Sequence, residues 1–272
     1  MKLQKTLAAV AGFFMALTLG ACGGANQADG GSTKAAGDTF TVGFDAEFPP
    51  YGFKDDSGEY TGFDLDLAAE VAKRNEWTMV PQPIDWDAKD MELKSGTIDC
   101  IWNGFTMDGR EDDYTWSRAY VNNEIVFAVK KDSAIKSTAD LAGKNVLVQA
   151  DSSGLAALEN EENKAITESF KDLTQVANYN DAFLTIDSGG AQAVAIDSGV
   201  ARYQLMNRAN GDEYTIVQFD SGYSEKYGIG FKKGNTALRD QVQKTIDEMI
   251  DDGTFAQIAE KWGIQDSIIT EK

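Results

Sequence analysis

Histidine is absent from this 272-residue chain, and only two cysteines are present. Without histidine, Ser–His and Cys–His catalysis has no general base, and a zinc site loses one of its usual ligands. The two cysteines, Cys22 and Cys100, do not make a disulfide framework. Cys100 lies in an apolar stretch, so we interpret it as a small buried side chain. The sequence therefore predicts no catalytic triad, no metal and no cofactor.

Basic residues are also scarce, since 25 Lys and Arg stand against 44 Asp and Glu, for a net charge of −19. A protein this acidic is repelled by nucleic acid and by anionic lipid. We therefore expect no nucleic-acid partner, and any link to a membrane has to be a lipid anchor.

The N-terminus has the pattern of a secretory signal. Lys2 and Lys5 precede an apolar run, Thr6–Leu19, that is short for a membrane-spanning helix. The four residues that end at Cys22 resemble a bacterial lipobox, which implies cleavage before Cys22 and lipid attachment to its sulfur. An ordinary signal peptide with an incidental cysteine is the alternative. We predict a signal peptide over 1–21 and a lipid anchor at Cys22 as the one link to the membrane.

The segment after the signal is mostly Gly, Ala, Ser, Asn and Gln, with almost nothing to bury. We predict that residues 22–39 are the lipidated cysteine and a flexible tether. The remaining chain is longer than one small core needs, so two lobes are expected.

Strands and helices alternate in the first part of the folded chain. Apolar alternation predicts strands, and apolar spacing of three to four residues predicts helices. Asp64 falls in the first turn of the first helix, where the helix dipole favours negative charge. The predicted elements are a strand over 40–44, a helix over 61–74, a strand over 77–81, a helix over 88–94 and a strand over 98–102. This order predicts a parallel sheet with right-handed crossovers.

The stretch from Ile98 to Arg110 is where we expect the ligand. A short buried strand breaks after Trp102 into a loop that contains Gly104. Backbone carbonyls, the Thr106 hydroxyl and the Arg110 guanidinium then lie within a few residues of one another. That set fits a zwitterionic amino acid better than a metal or a phosphate chain. A surface ion pair between the arginine and the acidic residues after it is the alternative.

Several ordered motifs resemble those of one family. They are GFDLDLA at 62–68, KSGTID at 94–99, the loop over 104–110, the Trp-Ser pair at 116–117 and VQADSSG at 148–154. Together they are similar to the signatures of the extracellular solute-binding proteins of family 3, the polar amino-acid receptors of ABC importers. The resemblance covers residues from about Phe40 to Trp262.

This resemblance implies an α/β, two-lobed fold of the type II periplasmic-binding-protein kind. Each lobe is then a mostly parallel sheet flanked by helices, and two crossover strands form the hinge. We place lobe 1 at 40–123 and 225–272, and lobe 2 at 124–224. The implied function is a high-affinity, monomeric receptor, outside the cytoplasm, that delivers a free amino acid to ABC permease subunits.

A free amino acid carries a carboxylate and an ammonium, and burying either charge unpaired is costly. We assign the carboxylate to Arg110, assisted by Thr106 and by N–H groups near Ser152 and Ser153 at a helix N-terminus. The family counterpart of Asp197 binds the ammonium, and we add the Gly104 carbonyl. Taken alone, Asp197 reads as a helix N-cap.

The ligand side chain is expected to meet Asp45, Phe48 and Trp86. The two aromatic residues resemble the family's stacking walls, and Asp45 resembles its side-chain acceptor. Glu47 and Trp102 are open as further contacts, and Trp102 fits the core equally well. Acids near the pocket disfavour an acidic ligand, so a polar uncharged or cationic amino acid is predicted. The full predicted set is Asp45, Phe48, Trp86, Asn103, Gly104, Thr106, Arg110, Ser152, Ser153 and Asp197.

Two positions depart from the family pattern. Asp151 stands where the family has the first glycine of a Gly-Thr-Thr-Gly motif, and Thr106 and Arg110 are separated by three residues instead of four. Both changes affect the predicted carboxylate site. Two other functions stay open: a dehydratase of prephenate-like acids on the same fold, and a ligand-sensing partner of a receptor.

Overall fold

The structure is a computed structural model that describes residues 31–219 and 224–272. The predicted signal peptide, the predicted lipid anchor at Cys22 and the first part of the predicted tether lie outside the described residues. Among the helices that are described, none is long and apolar enough to cross a membrane.

Lobe 1 begins with a β-α-β-α-β unit, as the sequence predicts. Its elements are β1 (Thr39–Phe44), β2 (Glu47–Phe48), β3 (Gly52–Lys54), β4 (Tyr60–Thr61), α1 (Phe63–Arg74), β5 (Thr78–Pro83), α2 (Lys89–Ser95) and β6 (Cys100–Thr106). Strand β1 pairs in parallel with both β5 and β6. The apolar face of α1 is buried, with Phe63, Leu67 and Val71 at 0% exposure.

After β6 the chain forms β7 (Thr115–Trp116), which belongs to lobe 1 because it pairs with the later strand β13. The middle of the chain then forms lobe 2. Its elements are β8 (Val121–Lys130), β9 (Asn145–Gln149), α3 (Ser153–Glu159), α4 (Lys164–Thr167), β10 (Asp172–Val176), α5 (Tyr179–Asp187), β11 (Ala193–Asp197), α6 (Ser198–Asn207) and β12 (Tyr214–Gln218). Strand β9 pairs in parallel with β10 and β11. Strand β8 runs antiparallel to β11 and β12.

The chain then returns to lobe 1 through β13 (Ser224–Phe231), α7 (Thr236–Asp251) and α8 (Thr254–Trp262). Strand β13 pairs antiparallel with β6 of lobe 1, and its first residues pair with the first residues of β8. The sheet order is β10-β9-β11-β8-β13-β6-β1-β5. The predicted two-lobed α/β fold with two crossing strands is confirmed, and the crossing strands β8 and β13 pair from Val121↔Tyr227 to Glu124↔Ser224.

Strand β6 differs from its prediction. The sequence predicts a strand that ends at Trp102 and a loop from Asn103, but β6 continues to Thr106 with every residue buried. The predicted loop over 103–106 is therefore wrong. The strand continues because Gly104 adopts φ +59° and lies against three aromatic rings, where a Cβ would be 2.9 Å from the Phe48 ring. The facing strand β13 shifts register between Gly228 and Gly230 at the same level.

The end of the predicted tether contacts the folded part. Lys34 exchanges two hydrogen bonds with Gln241 on α7, at 2.8 and 2.9 Å. Its ammonium lies 2.9 Å from a carboxylate oxygen of Asp99. Residues near Lys34 are thus attached to lobe 1, in contrast to the free tether predicted through residue 39.

Candidate functional site

A narrow cavity of about 10 Å³ lies between the lobes. Its lining residues are Phe48, Trp86, Asn103, Gly104, Thr106, Arg110, Gln149, Ser152, Ser153 and Asp197. Nine of these belong to the set predicted from the sequence, and Gln149 is the addition. A space of this size holds about one water molecule, so an amino acid enters only when the walls separate. We call this space the narrow cavity.

Arg110 reaches the narrow cavity from the loop after β6. Its Nη1 donates to the carbonyl of Thr106 at 3.3 Å, and its Nη2 donates to the carbonyl of Asp151 in lobe 2 at 3.1 Å. The guanidinium carbon lies 5.3 Å from the centre of the Phe105 ring. Within the described ranges, Arg110 forms no salt bridge, so the alternative of a surface ion pair is not what the structure shows. A guanidinium has five N–H donors, and most of them are therefore available to an anion.

Asp197 is the last residue of β11 and lies at 3% exposure. It occupies the N-cap position of α6, but its side chain makes no capping hydrogen bond. Its carboxylate instead accepts hydrogen bonds from Tyr227 at 2.6 Å, Asn123 at 2.7 Å and Tyr179 at 3.2 Å. Asp197 therefore occupies the N-cap position without capping the helix, because donors from other parts of the chain hold its carboxylate towards the cavity.

Burial raises the pKa of Asp197, while hydrogen bonds from Tyr227 and Tyr179 act in the opposite direction. No described lysine or arginine forms a salt bridge with it. The site therefore holds a buried acid that lacks a cationic partner.

Glu225 and Asn123, which the sequence analysis did not select, do not line the narrow cavity but form hydrogen bonds to residues that do. Glu225 is at 0% exposure on β13, and its Oε1 accepts from Asn123 at 2.6 Å, Thr106 at 3.0 Å and Ser153 at 3.1 Å. Burial and the neighbouring Asp197 raise the pKa of Glu225 to about 8. The missed signal was strand alternation, because Glu225 and Tyr227 share one face of β13.

The start of α3 supplies the lobe 2 side of the narrow cavity. Ser152 is the N-cap, and its hydroxyl accepts from the Leu155 N–H at 3.1 Å and donates to the Gln149 carbonyl at 2.7 Å. Ser153 is the first residue of the helix. The predicted helix start is confirmed, and the first helical N–H groups have no partner within the helix.

Asp151 adopts a left-handed backbone conformation with φ +53°, a region that favours glycine. Its carboxylate forms a salt bridge with Lys89 on α2, and this pair joins lobe 2 to lobe 1. Lys89 is at 1% exposure, and its ammonium lies 5.0 Å from the centre of the Trp86 ring. Burial lowers the pKa of Lys89, and the salt bridge with Asp151 raises it. We call this pair the interlobe salt bridge.

The floor of the narrow cavity is aromatic. Phe48 lies 5.7 Å from Tyr51 and 5.9 Å from Tyr179, measured between ring centres, and Tyr51 lies 5.2 Å from Tyr227. Trp102, open as a further contact, is instead a core residue at 0% exposure that packs on Tyr120.

Asp64 anchors the backbone under this floor. It is at 0% exposure and accepts from the Gly104 N–H at 2.6 Å and from the Tyr120 hydroxyl at 2.8 Å. Burial raises the pKa of Asp64 to about 7. The helix-dipole role predicted for Asp64 is therefore incomplete, since its main contacts are with β6 and Tyr120.

A second, wider cavity of about 620 Å³ opens beside the first and shares Trp86 with it. Among the residues that the structure describes, five carboxylate residues and no lysine or arginine line it: Asp45, Glu47, Asp85, Asp87 and Glu92. We call this space the acidic cavity. Asp45, the one predicted residue that is not part of the narrow cavity, lies here.

Asp45 is held by a lobe 2 residue. Its carboxylate accepts from Gln149 Nε2 at 2.7 Å and from the Glu47 N–H at 2.8 Å. Burial raises the pKa of Asp45, and burial and then Asp45 raise the pKa of Glu47. A cationic or hydrogen-bond-donating group in this cavity would relieve that unfavourable burial.

Clusters of metal ligands and the Cys100 thiol are two further places where chemistry could occur. Among the residues that the structure describes, no group of three or more Asp, Glu, His or Cys is placed to hold a metal ion. Burial raises the pKa of the Cys100 thiol well above its usual value, so this sulfur is held as a neutral thiol. The two cavities offer charge pairing and hydrogen bonds, which suit binding.

Comparison with known proteins agrees with this geometry. The profile of the bacterial extracellular solute-binding proteins, family 3, matches residues 40–265. The L-cystine-binding protein TcyA of Bacillus subtilis (strain 168) is 28% identical over 271 residues, which cover 96% of this chain and 97% of that protein.

Two solved structures have the same fold. A substrate-binding protein of an ABC uptake transporter from Streptococcus pneumoniae, with bound histidine, is 35% identical with a TM-score of 0.77 and covers 82% of this chain and 92% of its own. The ancestral amino acid-binding protein AncCDT-1, a precursor of cyclohexadienyl dehydratase, is 32% identical with a TM-score of 0.73 and covers 82% and 95%. With the family profile matched over most of its length, the chain belongs to the bacterial extracellular solute-binding proteins, family 3.

Proposed function

We propose that this protein is a receptor, located outside the cytoplasm, that binds one free amino acid between its lobes and delivers it to an ABC importer. One observation carries the proposal. Arg110 in lobe 1 and Asp197 in lobe 2 line the same narrow cavity, and neither forms a salt bridge within the described part of the chain. A ligand with one negative and one positive group would form ion pairs with Arg110 and with Asp197, and it would stabilise the closed lobes.

The ligand carboxylate binds Arg110, which has free N–H donors in a planar fork. The first N–H groups of α3 lie on the other side of the cavity and add hydrogen bonds from lobe 2. Thr106 and Ser153 have one hydroxyl proton each, and in this structure both donate to Glu225. They contact the ligand carboxylate after rotation of these hydroxyls.

The ligand ammonium binds Asp197, with the Gly104 carbonyl as a second acceptor. Asn103 and Ser152 complete the polar wall, and Phe48 forms the apolar floor. Tyr227 and Tyr179 keep the Asp197 carboxylate in place through their hydroxyls. The ammonium therefore meets an acceptor that does not have to reorient.

The ligand side chain extends past Trp86 towards Asp45 and the acidic cavity. Because this cavity is lined by acids and by no base, a polar uncharged or cationic side chain is favoured over an acidic one. The related proteins bind different ligands, cystine in one case and histidine in another. The amino acid bound here depends on residues of the acidic cavity.

The partners follow from this role. They are the transmembrane permease subunits of an ABC importer, and the receptor itself works as a monomer without catalysis. Lipid on Cys22 anchors it to the membrane after removal of the signal peptide over 1–21.

Thermal unfolding in the presence of each common amino acid tests the proposal. An amino acid present at about 100 times its Kd adds about 2.7 kcal/mol to the free energy of unfolding, which is a clear shift in Tm. Arg110→Ala is expected to abolish the shift and to leave the Tm without added amino acid nearly unchanged. Arg118→Ala, which removes an arginine paired with Asp247 on the surface, is the control and is expected to keep the shift.

The same experiment separates the receptor from the dehydratase alternative. Prephenate-like cyclic acids are added in place of amino acids, and their conversion is followed by absorbance. A shift with such acids and a measurable turnover, with no shift from any amino acid, would reject the receptor.

A further inference from the structure

One carboxylate oxygen gathers residues from both lobes and both crossing strands. Glu225 on β13 accepts at Oε1 from Thr106 in lobe 1, from Ser153 in lobe 2 and from Asn123 on β8. Its other oxygen, Oε2, is buried and has no hydrogen-bond partner among the described residues. A buried carboxylate oxygen without a hydrogen-bond donor is energetically unfavourable. A donor from a bound ligand would satisfy Oε2, since no described side chain donates to it.

Glu225 also lies beside a second buried acid. The Asn123 amide donates to Asp197 Oδ1 at 2.7 Å and to Glu225 Oε1 at 2.6 Å, and so it joins the two carboxyl groups. Neither carboxyl has a lysine or arginine within salt-bridge distance in the described part of the chain. Two like charges in such a place repel each other at low dielectric.

The surroundings of the pair favour a proton on Glu225. Two cations lie in this region, Arg110, which lines the same cavity as Asp197, and Arg202, whose charge acts on Tyr51, and neither forms a salt bridge with the pair among the described residues. The titratable hydroxyls beside Glu225 and Asp197 are those of Tyr179 from α5, Tyr227 from β13 and Tyr51. All three are neutral phenols, since burial raises the pKa of each above its ordinary value. Burial and the neighbouring Asp197 raise the pKa of Glu225 to about 8, so Glu225 holds a proton at neutral pH.

We propose that Glu225 is a second carboxylate of the ammonium site, beside Asp197, and that the α-ammonium of the bound amino acid displaces the proton shared by this pair. The inference rests on the proposed function and adds a residue and a proton to it. An ammonium has three N–H donors, which bind Asp197, the Gly104 carbonyl and Glu225 Oε2. The proton leaves Glu225 for solvent as the ammonium arrives, so the net charge of the cluster does not change.

Calorimetric titration tests this exchange directly. L-glutamine and L-arginine are suitable probes because their side chains do not titrate near pH 7, and any other amino acid that shifts the Tm is added to the set. Each titration is run at pH 7 in phosphate and in Tris, whose ionisation enthalpies differ. We expect about one proton released per bound amino acid. Binding without proton release would overturn the inference and leave the proposed function intact.

Two variants assign the proton to its residue. Glu225→Gln keeps the shape of the side chain and removes its proton, so we expect proton release to disappear and the Kd to rise about tenfold or more, as for loss of one charged hydrogen bond. Glu124→Gln changes an exposed glutamate one position away from Asn123 on β8, and it is expected to match the wild type. Proton release that persists in Glu225→Gln would overturn the inference, because it would then come from another acid. If no amino acid binds the wild type, the proposed function fails, and this inference fails with it.

Discussion

The narrow cavity and the acidic cavity share Trp86 but differ in size and in balance of charge. The narrow one, of about 10 Å³, contains Arg110 and Asp197, one charge of each sign, and its donors and acceptors are held by neighbouring side chains. The acidic one, of about 620 Å³, has carboxylates and no lysine or arginine along its walls within the described ranges. The difference separates two tasks, since the narrow cavity fits the part common to all amino acids and the acidic cavity fits the part that varies.

The two cavities also place their charges differently against water. Asp197 is almost fully buried, so its charge is screened little and loses much if its partner is removed. Glu47 is partly exposed, and its interactions are weakened by solvent. Substitutions in the narrow cavity should therefore act on affinity for every amino acid, whereas substitutions in the acidic cavity should act on selectivity.

The largest effect is expected from Asp197→Asn in the narrow cavity. The amide keeps an acceptor for Tyr227 but loses the negative charge that binds the ammonium. We expect a loss of about 2 to 5 kcal/mol in binding free energy, for every amino acid that binds. The unfolding free energy should stay equal or rise, since a buried acid with a raised pKa is replaced by a neutral group. Calorimetry and thermal unfolding measure the two quantities; unchanged affinity would contradict the assignment of the ammonium site.

A smaller effect is expected from the acidic cavity. Asp45→Asn combined with Glu47→Gln removes two negative charges near the ligand side chain. We expect the Kd for L-arginine to rise about tenfold more than the Kd for L-glutamine, which corresponds to about 1.4 kcal/mol of lost selectivity. Asp56→Asn removes an exposed charge of lobe 1 and serves as the control. An equal rise in Kd for both amino acids would contradict this prediction. It would indicate that Asp45 stabilises the closed form through its hydrogen bond with Gln149 and does not contact the ligand side chain.

The Asp64 carboxyl under the narrow cavity should make stability depend on pH. Burial raises the pKa of Asp64 from 3.8 to about 7, so between these values the folded chain binds more protons than the unfolded chain. The protonated Asp64 carboxyl therefore makes its full contribution to the free energy of unfolding below pH 3.8, and this contribution is lost as the pH rises through about 7. From pH 6 to pH 8 this one group should lower the unfolding free energy by about 1.4 kcal/mol.

Asp64→Asn tests that contribution. The amide oxygen still accepts from the Gly104 N–H, and the group no longer titrates. Denaturant unfolding at pH 6, 7 and 8 should show a shallower fall in stability for the variant than for the wild type. Asp66→Asn, on the surface face of the same helix, is the matched control. Parallel pH profiles for the wild type and Asp64→Asn would show that this carboxyl does not titrate in that range.

The sequence was sufficient for the fold and for most of the narrow cavity, because ordered motifs and apolar periodicity specify which strands end at the cleft. It was not sufficient where a backbone or side chain responds to distant residues. Gly104 could be read as a loop residue, but the rings of Phe48, Tyr51 and Tyr227 make it part of a strand. These rings come from separate parts of the chain, and nothing local to Gly104 indicates that they meet there.

Asp197 and Glu225 show the same limit from the polar side. The propensity of Asp for the N-cap position is a local preference, and three tertiary donors overrule it. Glu225 could have been found by alternation, since Tyr227 fixes which face of the strand points inwards. Its role could not, because the groups that surround it, Thr106 and Ser153, belong to different lobes.

The smallest effect is expected from the interlobe salt bridge, which joins the lobes near both cavities. Asp151→Asn keeps the left-handed residue and removes the charge that Lys89 meets on closure. The buried lysine then lacks its anion in the closed form, so we expect amino-acid dissociation to be faster by about threefold to tenfold, as for loss of about 1 kcal/mol. Asp151→Gly removes the same charge and also relieves the positive φ, which costs roughly 1 kcal/mol for a residue with a Cβ.

The two substitutions together separate the salt bridge from the backbone strain. Stopped-flow dissociation rates should rise equally in Asp151→Asn and Asp151→Gly, whereas the unfolding free energy should be higher in the glycine variant by roughly 1 kcal/mol. Lys89→Met provides the reciprocal change, and combining it with Asp151→Asn should give less than the sum of the two effects because both remove one contact. Strictly additive effects would mean that the pair does not act as a unit, and that closure depends on the charges of the narrow cavity alone.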